Sequence, residues 1–181
     1  MAYIPPATMK SMCPGCALEL EALEGPTDPY GASSPACWAA YGIVMAREFS
    51  GEGHFASHRL SVDAYMSQHP SRVSRAAVQS VWLHLVGLCL VLERRATPGY
   101  VGRVLRQLSR PKRQFDWLDP PPLGGLTVSH VVQATSLEEH EQATRRWAGF
   151  VWDAWLPHHG AIRALADGAS TQSAKTVDRA G

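Results

Sequence analysis

Two cysteines flanking a proline and a glycine, Cys13-Pro14-Gly15-Cys16, place the tightest constraint on how this chain can fold. Thiolates two residues apart can chelate one ion, and the proline and glycine shape the turn between them. A third cysteine, Cys37, follows Ser34-Pro35, a side-chain cap and a proline at the first helical position. Cys37 therefore sits in the first turn of a helix, where free N–H groups and the helix dipole favour negative sulfur. Three soft ligands in a reducing compartment point to tetrahedral Zn2+. A redox pair of the thioredoxin kind would need a βαβ setting, and the pattern has none.

Helix geometry selects the fourth ligand. The helix opened by Ser34-Pro35 carries Cys37, Trp38, Tyr41, Met45 and Phe49 before Gly51 and Gly53 break it. It rises about 18 Å from Cys37 to Phe49 at about 1.5 Å per residue. A second helix, about His58 to Gln68, ends near Pro70, because the residue before a proline is pushed out of the helical region. Returning antiparallel, it leaves His58 at the far end and brings His69 back beside Cys37. The expected ligands are thus Cys13, Cys16, Cys37 and His69, with His58 as second and His54 as third choice for the last position. Such a set is closed, hence structural. Cys89, among Leu85, Leu88, Leu90 and Leu92, reads as core.

The remaining pattern is helical. The segment from about Ser74 to Arg94 is apolar on most faces between Val81 and Leu92, which marks the central buried helix. Val101, Val104, Leu105 and Leu108 follow Pro98 at helical spacing, and Pro111 to Gly125 is a rigid proline-rich loop. Thr127 caps a short helix. Ser136 with Glu139 reads as a capping box for a last long helix bearing Trp147, Val151 and Trp155, with a kink at Pro157. No stretch alternates with period two, so little or no sheet is expected. The expected fold is an all-α antiparallel helical bundle with an N-terminal zinc knuckle. Residues 1–11 read as a flexible lead-in, 12–166 as one domain and 167–181 as a disordered tail.

A chain of 181 residues, 45% hydrophobic and 18% charged, is globular in composition. Its net charge of +1 gives no whole-chain attraction to nucleic acid or acidic membranes. The start lacks an apolar stretch long enough for a signal peptide, and Val81–Leu92 falls short of a membrane span, so a cytoplasmic protein is expected.

A second polar group stands out. His58, Val62, Tyr65 and His69 share one helical face, with Asp63 about a hundred degrees round from Val62. His84 interrupts the apolar central helix at the depth of His58 and Asp63. Its ordinary explanation is a hydrogen bond to Asp63, Tyr65 or a backbone carbonyl, since a buried unpaired polar group costs about 1–3 kcal/mol. The sharper alternative is a catalytic site of His58, Asp63, His84 and His158 around zinc, iron or manganese, with the ion activating water. Arg94, Arg95, Arg103, Arg106, Arg110, Lys112 and Arg113 form a run without acids beside Tyr100, Phe115 and Trp117. Nucleic-acid binding there is a further alternative; a solvated helix face is the plainer one.

Taken in order, CPGC, SPACW, VDAYMSQHP, WLHL and PPPLGGLTV make the stretch from Cys13 to Ile162 resemble an uncharacterised bacterial family, a domain of unknown function. The resemblance implies one shared architecture and carries no established activity. The function expected from the residues is a zinc-stabilised interaction or regulatory module that recruits a protein partner.

Overall fold

The computed structural model describes residues 9–110 and 113–177. Residues 1–8 of the expected lead-in, Lys112 of the basic run and residues 178–181 of the expected tail lie outside the described residues.

The fold is all-α apart from one small hairpin. Strands β1 (Lys10–Met12) and β2 (Glu19–Glu21) pair antiparallel, Ser11 opposite Leu20, and carry the Cys13–Cys16 turn between them. Residues 10 and 11 of the expected lead-in thus belong to a strand. Helix α1 (Pro35–Ser50) starts where Ser34 Oγ accepts the Cys37 N–H at 3.2 Å. Gly51 stops it in extended backbone, and a single turn, α2 (Glu52–Phe55), leads into α3 (His58–Gln68).

Helix α4 (Arg75–Leu88) continues as a π-helical turn, Cys89–Glu93, and packs against α3, α5 (Pro98–Leu108), α7 (Leu137–Ala154) and α8 (His159–Val177). Together Arg75–Glu93 is long and apolar enough to cross a membrane by length and composition alone. Here it is the central helix, with Val81, Leu85, Val86 and Leu88 in the core. The short α6 (Val128–Val132) joins the loop of residues 113–127 to α7.

Two expectations change. The residues from Asp167 to Val177, read as a disordered tail, are the second half of α8. Ala169 is buried there, as is Ala166 just before it, so small side chains that look featureless in sequence pack closely. At Pro157 the chain makes a 3-10 turn, Leu156–His158, that separates α7 from α8. A proline ring cannot donate the N–H that a continuous helix needs. The capping box is also displaced by one residue: Ser136 Oγ accepts the Glu139 N–H, while Glu139 Oε2 accepts from the Thr135 N–H at 2.8 Å.

Close approach of α3 and α4 depends on Gly87. A Cβ there would lie 2.6 Å from Asp63 Cγ and 2.8 Å from Asp63 Oδ1. Alanine in a helix gains up to about 1 kcal/mol over glycine, whereas overpacking costs about 1–3 kcal/mol. Gly87→Ala should therefore lower stability by about 1–2 kcal/mol in urea unfolding, and Gly42→Ala, whose Cβ meets nothing within 4 Å, should raise it. Equal effects of the two substitutions would mean that Gly87 does not set the α3–α4 spacing.

Candidate metal centre

Ligand atoms of Cys13, Cys16, Cys37 and His69 lie within 4.8 Å of one another, and all four residues are buried. The hairpin turn brings in two sulfurs, the first turn of α1 the third, and the residue just past α3 the imidazole. Cys16 Sγ is 3.8 Å from Cys37 Sγ, and Cys37 Sγ is 3.3 Å from His69 Nε2. The 16-residue α1 and its antiparallel neighbour α3 bring Cys37 and His69 to one end. His58 and His54 are at the other: His58 bonds to Glu48 near the end of α1, and His54 packs its ring against His140. Neither second-choice ligand shares the site.

Surrounding groups hold the ligands in place. His69 Nδ1 lies 2.7 Å from the Tyr65 carbonyl, which can only accept, so Nδ1 carries a hydrogen and Nε2 is the ring nitrogen turned to the sulfurs. The Ser34 N–H donates to Cys13 Sγ at 3.4 Å, so one residue both caps α1 and fixes a ligand. The Cys13 N–H donates to the Leu18 carbonyl and the Ala17 N–H to the Cys13 carbonyl, each at 2.9 Å. Closing this turn puts Ala17 at φ 56°, a conformation that costs a non-glycine residue of order 1–3 kcal/mol. Gly15 is required: a Cβ would stand 2.6 Å from His69 Cδ2 and 2.7 Å from the Ala32 carbonyl oxygen.

The four groups hold protons unevenly. Hydrogen bonds from Cys16 and then Cys37 press Cys13 far below the ordinary thiol range, and its bonds in turn push Cys37 far above it. Burial alone would depress His69, but hydrogen bonds to Cys13 and Cys16 raise it to about 9. The cluster thus attracts a positive charge that only a shared proton or a cation can supply.

The proposed catalytic residues separate. His84 Nδ1 bonds to Asp63 at 2.8 Å, and Asp63, fully buried, also takes both guanidinium bonds of Arg59. His58 Nδ1 bonds instead to Glu48 Oε2 at 2.8 Å. His158 Nε2 accompanies the Asp119 carbonyl at 2.8 Å, beside the proline-rich loop. Among the described residues only the Cys13 group brings three or more such side chains within ligand reach of one another. The reason is rotation: successive residues on α3 turn about 100°, so His58 faces α1 while Asp63 faces α4.

Several structural residues carried no sequence motif. Glu48 is buried, accepts from Ser61 Oγ at 2.8 Å and meets His140 Nε2 at 3.2 Å. Desolvation lowers the His140 pKa despite Glu48. Gln68 donates to the Leu123 and Leu126 carbonyls and accepts from Trp147 Nε1, each at 2.8 Å, tying the proline-rich loop and α7 to the end of α3. The signal for Glu48 was a carboxylate on the apolar stripe of Cys37, Tyr41 and Val44. In the basic run, Arg103 and Arg106 are exposed on α5 and Arg110 is exposed just after it, Arg94 pairs with Asp167, and Tyr100, Phe115 and Trp117 pack on the core.

The family of unknown function DUF5946 matches residues 11–156. The chain belongs to that family. The matched region of this DUF5946 protein contains all four clustered ligands, every helix from α1 to α7 and the Glu48–His58, Glu48–His140 and Asp63–His84 pairs. No match was found among curated proteins or among solved structures.

Two substitutions test this description. Gly15→Ala should weaken retention of a divalent ion by about 10–100-fold in chelator competition, because His69 must retreat from the sulfurs. Glu48→Ala, which strands His58 and His140 on a buried face, should cost about 3–5 kcal/mol in chemical unfolding, and Glu48→Gln less than half of that. A mild Glu48→Ala would show that the buried carboxylate does not hold α1, α3 and α7 together.

Proposed function

We propose that the protein is a zinc-stabilised helical module in which the ion fastens the N-terminal hairpin to the junction of α1 and α3, leaving the outer surface to recruit a protein partner. The observation that carries this reading is the spacing of the ligand atoms. Tetrahedral zinc, with bonds of about 2.3 Å to sulfur and about 2.0 Å to nitrogen, spaces two sulfurs about 3.8 Å apart and sulfur from nitrogen about 3.5 Å. The corresponding separations are 3.8 Å for Cys16–Cys37 and 3.3 Å for Cys37–His69.

Soft thiolates with one imidazole favour zinc over magnesium, calcium or manganese, which prefer oxygen. Burial of all four ligands supports a structural ion with no place for water or substrate. A set of reduced thiols suits the cytoplasm. The hairpin exposes Met9, Met12 and Leu23, an apolar edge that the ion would hold in one orientation for a partner.

Metal analysis by mass spectrometry on untagged protein tests the proposal. One zinc per chain should be found in the parent and in His84→Ala, and less than a tenth of that in Cys16→Ser and His69→Ala. Loss of the ion should also lower the thermal midpoint markedly, because binding energy is then folding energy. A second equivalent of metal that disappears in His84→Ala would replace this reading with an open site inside the bundle.

A further inference from the structure

Away from the cysteine cluster, a cleft of about 350 Å³ opens between α1, α3 and α4. That volume falls within the range of small-molecule sites, about 300–1,000 Å³. His58 from α3 and His84 from α4 both line it. Each ring is anchored through Nδ1, His58 to Glu48 and His84 to Asp63, at 2.8 Å in both cases, and both carboxylates are fully buried. A carboxylate accepts, so Nδ1 carries the hydrogen and each Nε2 presents a lone pair.

The rest of the lining has the same electrical character. Asp28 is its one carboxylate, and neither lysine nor arginine lines it. Asp28 Oδ1 accepts the Tyr30 N–H at 2.7 Å, and no cationic side chain pairs with it among the described residues. Trp38, Tyr41 and Phe49 add aromatic rings, and Trp38 and Tyr41 lie 5.7 Å apart. Lone pairs, a carboxylate and aromatic faces all attract positive charge. A bare metal ion is disfavoured, because the cleft holds no three ligands within mutual reach.

We propose that this cleft binds a small organic ammonium ion, a primary amine carried on an apolar or aromatic body. The ammonium pairs with the Asp28 carboxylate and is drawn by the imidazoles of His58 and His84 on the same lining, while the body packs on Trp38 and Met45. Glu48 and Asp63 are positioning residues that set the two rings. This site is independent of the structural-zinc reading, since none of its residues is a ligand of the cysteine cluster.

The test uses the full chain and three probes on one phenethyl body: phenethylammonium, the neutral 2-phenylethanol and the anionic 3-phenylpropionate. Binding is followed by NMR at the Trp38 indole N–H and at the His58 and His84 ring protons. Phenethylammonium should shift these signals saturably with a dissociation constant of about 1 mM or tighter, equivalent to about 4 kcal/mol. The alcohol and the carboxylate should bind at least tenfold more weakly. Asp28→Asn, which still accepts from the Tyr30 N–H, should weaken the ammonium about tenfold with circular dichroism and metal content unchanged. His84→Ala should weaken it too. No saturable shift with phenethylammonium, equal binding of the carboxylate, or undiminished binding to folded Asp28→Asn would each overturn the proposal.

Discussion

The contact between Cys37 and His69, 3.3 Å from sulfur to ring nitrogen, is the point on which the rest of the chain is organised. It joins the start of α1 to the end of α3 and fixes where the hairpin must dock. Gly15 lies against His69 with no room for a side chain, and the Ala32 N–H donates to the His69 carbonyl at 2.9 Å. Tyr65 stacks on Tyr41 at 4.2 Å and covers the His69 ring at 4.1 Å, shielding the cluster from the bundle side. Beyond it, Gln68 and the Ser67 carbonyl receive Trp147 and Trp155. The end of α3 is thus both the floor of the candidate metal centre and the hub of the C-terminal helices.

Buried carboxylates impose a second constraint. An ionised carboxylate inside a protein is tolerated only with partners, since desolvation costs several kcal/mol. Glu48 and Asp63 meet this demand differently: Glu48 with His58, Ser61 and His140, Asp63 with Arg59 and His84. Each solution takes the Nδ1 of an imidazole that lines the cleft, His58 for Glu48 and His84 for Asp63. Polar groups needed to satisfy the core therefore also determine the chemistry of a surface recess.

Much of the fold was legible because its signals are local. Ser34-Pro35 before Cys37, Ser74 before α4 and Ser136 before α7 cap helices through contacts three residues away, with no help from distant chain. Axial rise alone placed His69 beside Cys37 and His58 at the far end. The second half of α8 escaped notice because alanines and polar residues carry no strong helical period, and the burial of Ala169 depends on the neighbouring helices. The polar group was legible only in part: Asp63 and His84 do pair, whereas His58 bonds to Glu48 and His158 to the Asp119 carbonyl. Residues at one depth were grouped although they point to different helices.

The sequence by itself determined the helical class, the main helix boundaries and, at the candidate metal centre, the three cysteines with His69 as first choice for the fourth position. Those follow from caps, apolar period and distance along a helix, all of which act over a few residues. Tertiary structure alone decided which histidine meets which carboxylate, that Glu48, Gln68 and His140 belong to the core, and that His58 and His84 open on one cleft. Such pairings depend on how each helix is rotated about its axis and how closely it is crossed. Packing sets both, as at Gly87 against Asp63, and no local pattern records them.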